Sequence, residues 1–199
     1  MTATGRRYQL KRRAERQEET RQRIVAAAVE LHTTRGPSRT TVQAIADVAG
    51  VTRPTVYAHF PDERALFAAC SGHVRETTPP PDPAPWGTIA DPAERLETAL
   101  RELYGYYERL EQLLEHVERD APLMPVLAEV SEHRFHYVDE VRDLVLQAWP
   151  AHGGARTRLR RAVGHALEFG TWQSLARRQG CSTEEAVRLM VGLARAAAG

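Results

Sequence analysis

Cysteine is scarce in this sequence: Cys70 and Cys181 are the only two among 199 residues. Two thiols cannot build a disulfide framework, and neither cysteine belongs to a CxxC pair. We therefore predict a cytoplasmic chain in which both thiols stay reduced. A role as small buried hydrophobes explains them more simply than a redox-sensing role.

Long apolar runs are also missing, although 42% of the residues are hydrophobic, an ordinary fraction for a packed globular protein. No stretch reaches the roughly 18 apolar residues that a membrane-spanning helix needs. The basic residues near the amino end are not followed by an apolar segment, so we expect no secretory signal. The sequence therefore predicts no membrane partner.

Recognisable catalytic chemistry is absent as well. The sequence contains no nucleophile–base pair, no phosphate-binding loop and no set of four metal ligands. His133 and His136 have a spacing that a metal site permits, and His116 is the candidate for a third ligand nearby. However, no cysteine or carboxylate is placed to complete a tetrahedral site. We predict a non-enzyme with no catalytic residue, metal or cofactor; a helical-bundle enzyme that uses these histidines is the competing hypothesis.

Charge is distributed unevenly along the chain, although the net charge is only +1. Residues 1–70 contain 12 Lys or Arg and 7 Asp or Glu, an excess of 5 positive charges. Residues 71–199 contain 15 Lys or Arg and 19 Asp or Glu, an excess of 4 negative charges. A basic first part joined to an acidic remainder favours a polyanion as the partner of the first part.

Apolar residues recur at helical spacing almost everywhere, with no strand signal and no internal repeat, so we predict an all-α fold. The stretch "TTPPPDPAPW" at 77–86 is too rich in proline to be helical. It indicates a connection between a small helix-turn-helix head and a larger helical bundle. The predicted divisions are a basic arm at 1–20, the head at 21–76, the connection at 77–90 and the bundle at 91–199.

The stretch "AGVTRPTVYAHF" at 49–60 places a glycine and a proline inside an otherwise helical pattern. Gly50 suits the left-handed turn between two helices, and Thr52 can cap a second helix that accepts Pro54 in its first turn. Val56 and Phe60 would then face inward. The hydrogen-bond donors of this stretch would then face outward, which suits the edge of a DNA major groove. These residues are Thr52, Arg53, Thr55, Tyr57 and His59.

These residues carry a resemblance to a known family. "TTVQAIADVAGVTRPTVYAHFPDERALF" at 40–67 resembles the DNA-binding head of the TetR/AcrR family of transcriptional regulators, and "RQRIVAAAVELHTTRG" at 21–36 is similar to the helix that precedes it. The resemblance implies a homodimer that binds a double-stranded DNA operator through two heads. It also implies a helical ligand-binding and dimerisation domain that responds to a small-molecule effector, and a repressor more often than an activator.

The resemblance also implies roles for individual residues. Arg53 is the best candidate for a guanine edge, and Arg64 is a possible substitute for the lysine that the family usually has where this chain has Glu63. Tyr57 and His59 match the pair of residues with which the family contacts phosphates. The competing interpretations are a half-buried core edge for Tyr57 and a helix-end charge that offsets the helix dipole for His59. The predicted DNA-binding residues are Thr41, Thr52, Arg53, Pro54, Thr55, Tyr57, His59 and Arg64.

The bundle is rich in aromatic residues with polar tips, which suit a small-molecule pocket as well as a packed core. The chemistry of the side chains, rather than any motif, suggests Tyr104, Tyr107, His116, Phe135, Phe169 and Trp172 as ligand-binding residues. The ending "TWQSLARRQGCSTEEAVRLMVGLARA" is similar to the last two helices that the family uses for dimerisation, which implies a dimer contact there. The expected contact residues are Leu159, Val163, Leu167, Val187, Met190, Val191 and Ala194.

The arm "RRYQLKRRAERQEETRQR" at 6–23 contains eight basic and three acidic residues. Two interpretations remain open at this point. The arm is either an extension that follows the DNA backbone or enters the minor groove, or a solvated, frayed tail.

For the protein as a whole, the alternative to a ligand-responsive regulator is a DNA-binding protein without any small-molecule ligand.

Overall fold

The computed structural model describes the backbone of residues 3–199 and the side chains of residue 9 and residues 11–199. This part of the chain is helical and contains no β-strand, which confirms the all-α prediction. The helices are α1 Ala3–Thr34, α2 Val42–Ala49, α3 Arg53–His59, α4 Glu63–Thr77, α5 Pro92–Asp120, α6 Pro125–Gln147, α7 Gly153–Leu167, α8 Phe169–Gln173 and α9 Thr183–Ala198. A π-helical turn, Ser174–Arg178, continues α8.

The chain forms two compact units. The first unit extends to Thr77 and also includes Glu115–Val130, while the second comprises Thr78–Leu114 and Ser131–Gly199. Because α5 spans Pro92–Asp120, its last turns belong to the first unit and its earlier turns to the second. The sequence-based division assigned the whole of 91–199 to the bundle, and so did not anticipate this distant contribution to the head.

The first unit is organised around one side of α1. Ile24, Ala28 and Leu31 on this side pack against α2, α3 and α4. Ala46 is fully buried, and its small side chain allows the helices to approach closely. Val56 and Phe60 are 1% and 3% exposed, which confirms that they face inward. The apolar positions of α1 and α2 therefore hold the two helices of the motif in place.

The basic arm is not separate from α1. The prediction placed an arm at 1–20 before the first helix, whereas the helix already includes residues from Ala3 onward. Residues 11–19 are all exposed, so local interactions rather than packing maintain this part of the helix. One of these is the pair between Lys11 Nζ and Glu15 Oε1 at 3.8 Å. Residues 1 and 2 of the predicted arm, and the side chains of 3–8 and 10, lie outside the described part.

The turn after α1 is fixed by a residue from the far end of α5. The buried carboxylate of Asp120 accepts a hydrogen bond from the backbone N–H of Ser38 at 2.9 Å and another from Arg119 Nε at 2.8 Å. The Arg119 guanidinium, with support from the Ser38 donor, lowers the pKa of Asp120 to about 2. Arg119 also donates to the carbonyl of Arg35 at 3.2 Å. Asp120 thus serves as an ionised anchor for the turn.

The proline-rich connection belongs to the second unit and is packed there. Trp86, within the short 3-10 helix Ala84–Thr88, is only 1% exposed and joins the core of that unit. The Tyr137 hydroxyl donates to the Pro81 carbonyl at 2.9 Å. The buried Arg95 donates to the carbonyls of Ile89, Leu144 and Gly87 at 2.9, 3.0 and 3.0 Å. These contacts make the connection an ordered part of the unit rather than a loose linker.

The helical stretch between Gly153 and Arg178 is interrupted at Glu168. This residue has an extended backbone, with φ −73° and ψ 138°, and separates α7 from α8. Two tyrosines of α5 compensate for the interruption. Tyr104 donates its hydroxyl to the Ala166 carbonyl at 2.8 Å, and Tyr107 donates to the Leu167 carbonyl at 2.6 Å. Two of the backbone acceptors next to the break are therefore satisfied inside the core.

None of the helices described between Ala3 and Ala198 combines the length and apolar character needed to cross a membrane.

Candidate functional sites

The turn between α2 and α3 has the geometry that a helix-turn-helix motif needs. Gly50 ends α2 in the left-handed region, with φ 64° and ψ 40°, and its N–H donates to the carbonyls of Ala46 and Asp47. Arg23 NH1 donates to the Ala49 carbonyl at 3.2 Å and so ties the end of α2 to α1. A side chain at position 50 would impose strain because this backbone region favours glycine. The turn thereby fixes the direction in which α3 leaves.

Threonines cap both helices of the motif. The Thr41 side chain accepts a hydrogen bond from the Ala44 N–H at the start of α2, and Thr52 accepts one from the Thr55 N–H at the start of α3. The hydroxyls of Thr52 and Thr55 are also within hydrogen-bond distance of each other, at 2.8 Å. Pro54 occupies the first turn of α3, where no backbone donor is needed. The cap predicted at Thr52 is therefore confirmed.

On the outward face of α3, the guanidinium of Arg53 contacts the side chain of Tyr57. Arg53 and Tyr57 are both exposed, and Arg53 NH2 donates to the Tyr57 hydroxyl at 3.2 Å. The Arg53 guanidinium carbon lies 5.6 Å from the centroid of the Tyr57 ring. This contact limits the rotamers of the long arginine side chain, which reduces the entropy lost when it meets a ligand. Thr52 and Pro54 are exposed on the same short helix or its cap.

The two remaining predicted positions have different surroundings. His59 is half-buried at the end of α3, next to the ring of Phe60. Arg64 lies on α4 and is paired with Glu129 of α6, with 3.4 Å between Nε and the carboxylate oxygen. Glu63 begins α4, and Asp62 caps it by accepting from the Ala65 N–H at 2.8 Å. The start of α4 is thus acidic, and Arg64 would have to leave Glu129 to contact a phosphate.

A neutral histidine supports the motif from behind. His32 is 4% exposed and stacks on Phe67, with ring centroids 5.0 Å apart. Burial lowers the pKa of His32 to about 4, and the nearby negative charge of Asp120 opposes this only in part. His116 approaches the carbonyl of His32 through Nδ1, at 3.3 Å. His116 therefore belongs to the first unit, whereas the other predicted ligand-binding residues belong to the second.

Four of those aromatic residues form a packed cluster. All four are at most 3% exposed: Tyr104, Tyr107, Phe169 and Trp172. The Phe169 ring meets the Tyr107 ring edge-on, with 5.6 Å between ring centroids, and its centroid lies 5.5 Å from that of Trp172. Burial raises the pKa of both tyrosines above the ordinary value, so their hydroxyls stay protonated donors. These side chains fill the core of the second unit and leave little space among themselves.

A small crevice lies at the edge of this cluster. Its volume is about 80 Å³, well below the roughly 300 Å³ at which typical small-molecule pockets begin. Phe135, which is 54% exposed, forms an outer wall. Charges of both signs share the crevice, since Arg142 contacts Asp139 at 2.6 Å. The lining residues are Tyr107, Arg134, Phe135, Val138, Asp139, Arg142, Gly164, Glu168 and Phe169.

Comparison with known proteins identifies the first unit. The family described as bacterial regulatory proteins, tetR family, matches residues 24–70, which include all of α2 and α3. Residues 24–70 are therefore similar to the TetR family. The transcriptional regulator TtgR of Pseudomonas putida is 40% identical over 68 residues. The probable transcriptional regulator ArpR, from the same species, has the same identity over the same length.

These two matches cover 34% of this chain and 32% of each relative, so they span about a third of the relatives' length. Likeness of fold extends further. A TetR-like regulator from Rhodococcus sp. RHA1 superposes with a TM-score of 0.64 at 22% identity, covering 88% of this chain and 93% of that one. NalD is the secondary repressor of the MexAB-OprM multidrug efflux pump in Pseudomonas aeruginosa. It superposes with a TM-score of 0.58 at 22% identity, covering 92% of this chain and 97% of NalD.

Sequence reasoning missed the residues that hold the helix-turn-helix motif in place. Arg23 ties the end of α2, and Arg21 lies 5.1 Å from the centroid of the Phe60 ring at the end of α3. Asp120 anchors the preceding turn from a position 82 residues away. The two arginines were visible only as part of the basic arm, and no local pattern marks Asp120. Their roles depend on packing that the sequence does not display.

Proposed function

We propose that this protein is a dimeric transcriptional regulator, a repressor, that binds a pseudo-palindromic DNA operator and leaves it when a small molecule binds. The outward face of α3 carries this proposal. A glycine turn and two threonine caps fix a short helix that exposes Arg53, Tyr57 and Thr52 together. A guanidinium and hydroxyls in a fixed arrangement suit guanine edges and the neighbouring phosphates.

Selection of bound duplexes from a random DNA pool tests the proposal and supplies the operator. Replacing Arg53 by alanine should then relax base preference at one position of each half-site and cost about 1–3 kcal/mol of binding free energy. Arg75→Ala, at an exposed position near the end of α4, should leave both quantities unchanged. A loss of affinity with intact base preference would make Arg53 a phosphate contact, and no selected sequence at all would refute sequence-specific binding.

Dimerisation is proposed through α7 and α9, but not through the residues first expected. Leu159, Val163, Leu167, Val187 and Ala194 are fully buried, and Val191 is 6% exposed, so the core of the same unit already uses them. Met190 is partly buried and packs against that core. The outer face of α9 instead exposes Leu189 at 53% and Leu193 at 41%. Gly192 and Ala196 complete this outer stripe at helical spacing.

Replacing the apolar leucines of this stripe with charged residues should separate the subunits. The double change Leu189→Glu and Leu193→Glu would place charges at the centre of a self-complementary interface, so we expect a monomer by sedimentation at micromolar concentration. Leu123→Glu is the control because Leu123 is 74% exposed and lies outside α9. If the double variant stays dimeric, another face holds the two copies together.

The effector part of the proposal rests on the crevice beside the aromatic cluster. Its volume of about 80 Å³ admits only a few non-hydrogen atoms, so a larger ligand requires its walls to move. A ligand that prefers the moved arrangement lowers operator affinity by the difference between its affinities for the two arrangements. A regulator without an effector is the alternative, and a thermal-shift screen in which no compound stabilises the protein would favour it.

A further inference from the structure

Residues 11–19 of α1, which precede the match to the TetR family, form a solvent-exposed stretch of helix. The match begins at residue 24, while the helix begins at Ala3. Residues 11–19 are all exposed, and their side chains are predominantly charged. A helix that is polar all round is held by local pairs or by a partner. The Lys11–Glu15 pair, at 3.8 Å and largely exposed, contributes little stability.

The charges on this helix are separated by side. With 3.6 residues per turn, one half of the helix surface between Gln9 and Arg23 carries basic and uncharged residues but no acidic ones. The opposite half carries Lys11 together with all three acidic residues of the segment, Glu15, Glu18 and Glu19. We call the first half the arginine stripe, and its charged members are Arg12, Arg13, Arg16, Arg21 and Arg23.

The arginine stripe lies on the side of α1 that faces the helix-turn-helix motif. Two of its members show this directly, since Arg23 donates to the carbonyl of Ala49 at the end of α2, and Arg21 lies over the ring of Phe60 at the end of α3. The stripe then continues beyond the motif through Thr20, Arg16 and Arg13 on the same side. Residues 9–20 extend the helix by about 18 Å beyond Arg21.

We infer that the arginine stripe is a second DNA-contacting surface, which follows the phosphate backbone beside the groove that α3 enters. This inference rests on the proposed function. Arginines on one acid-free side suit a row of phosphates, which each strand places about every 3.4 Å along the duplex axis. Contacts of this kind carry no base preference, so the stripe raises affinity for operator and non-operator DNA alike.

Charge patterning favours DNA over an anionic membrane as the partner. A helix that lies on a membrane surface needs an apolar side opposite its basic side. Here the opposite side carries Glu15, Glu18 and Glu19, which would be repelled by anionic lipid headgroups. On a duplex, the same acidic side can face solvent, away from the phosphates. The arginine stripe therefore fits a DNA duplex, which contacts only one side of the helix.

Single charge removals on the two sides of the helix test the inference. Arg13→Gln and Arg16→Gln each remove one charge from the stripe, and Lys11→Gln removes one from the opposite side. All three sites are exposed, and glutamine is a good helix former, so folding should not change. Affinity for a fixed random-sequence duplex is measured between about 0.05 and 0.2 M salt, and the slope of log affinity against log salt is compared.

Each stripe variant should reduce the magnitude of the slope by about 1, and the Arg13→Gln/Arg16→Gln double variant by about 2. Lys11→Gln should retain the wild-type slope. Equal slopes for all variants, or equal losses on both sides of the helix, would overturn the inference. So would loss of binding to phosphatidylglycerol vesicles with DNA affinity unchanged. Failure of the wild-type chain to bind any duplex would instead refute the proposed function itself.

Discussion

Replacing Arg95 by alanine is expected to destabilise the second unit by about 3 kcal/mol or more. The buried guanidinium donates to the carbonyls of Gly87, Ile89 and Leu144, and so joins the 3-10 helix around Trp86 to the end of α6. Alanine would leave three carbonyl oxygens without this donor and would open a cavity where the side chain lay. Each buried acceptor without a partner costs about 1–3 kcal/mol, less where water can enter.

Tryptophan fluorescence provides a selective measurement. Trp86, Trp149 and Trp172 are the chain's three tryptophans, and all lie in the second unit. The urea midpoint of their emission should fall in Arg95→Ala, and Arg95→Lys should recover only part of the loss because one ammonium cannot reach three separated carbonyls. The control is Arg109→Ala, since Arg109 is exposed and donates only to Gly105 within its own helix. Equal midpoints for Arg95→Ala and Arg109→Ala would show that the clamp contributes no stability.

Replacing Gly36 by alanine should destabilise the first unit by about 2–4 kcal/mol. Gly36 has φ 92° and ψ 155°, a conformation that residues with a side chain avoid at a cost of about 1–3 kcal/mol. An added Cβ would also collide with the Arg119 guanidinium and lie 2.8 Å from the buried Asp120 carboxylate. The carboxylate would then move away from the Ser38 N–H, so the anchor of the turn would be lost together with the favourable backbone.

Gly72 provides a matched control in the same unit. It lies within α4, and a Cβ added there would meet nothing within 4 Å. Gly72→Ala should therefore stabilise the unit by up to about 1 kcal/mol through helix propensity. Hydrogen exchange of the amides in residues 24–70 measures both effects, because the tryptophans do not report on this unit. If Gly36→Ala exchanges no faster than the wild type, the turn tolerates a side chain and the anchor is not needed.

Local features of the fold could be predicted well from the sequence. The left-handed turn at Gly50, the caps at Thr41, Thr52 and Ser182, and the inward direction of Val56 depend on neighbours within a few residues. Such features follow from the backbone preferences of individual residue types. The outward face of α3 follows from them in turn, because fixing the buried positions of a short helix also fixes its exposed ones.

Features that depend on distant partners could not be predicted. The interruption at Glu168 is stable because Tyr104 and Tyr107, about 60 residues earlier, donate to the carbonyls beside it. The anchor at Asp120 acts on a turn 82 residues away. The core already uses Val187, Val191 and Ala194, which were expected at a dimer interface, because apolar spacing alone does not tell which stripe of α9 the core covers. A sequence shows that a face is apolar, but packing decides what covers it.

Protein engineers often treat the DNA-reading portion of a regulator as a cassette that can be grafted onto another sensor. Here a cut within the proline-rich segment would separate that portion from Glu115–Val130, which is part of the same compact unit. The excised fragment would lose Asp120, and the Ser38 amide would lose its carboxylate acceptor. A chimera built from this chain therefore has to transplant two stretches, or supply from its new host a substitute for the missing carboxylate.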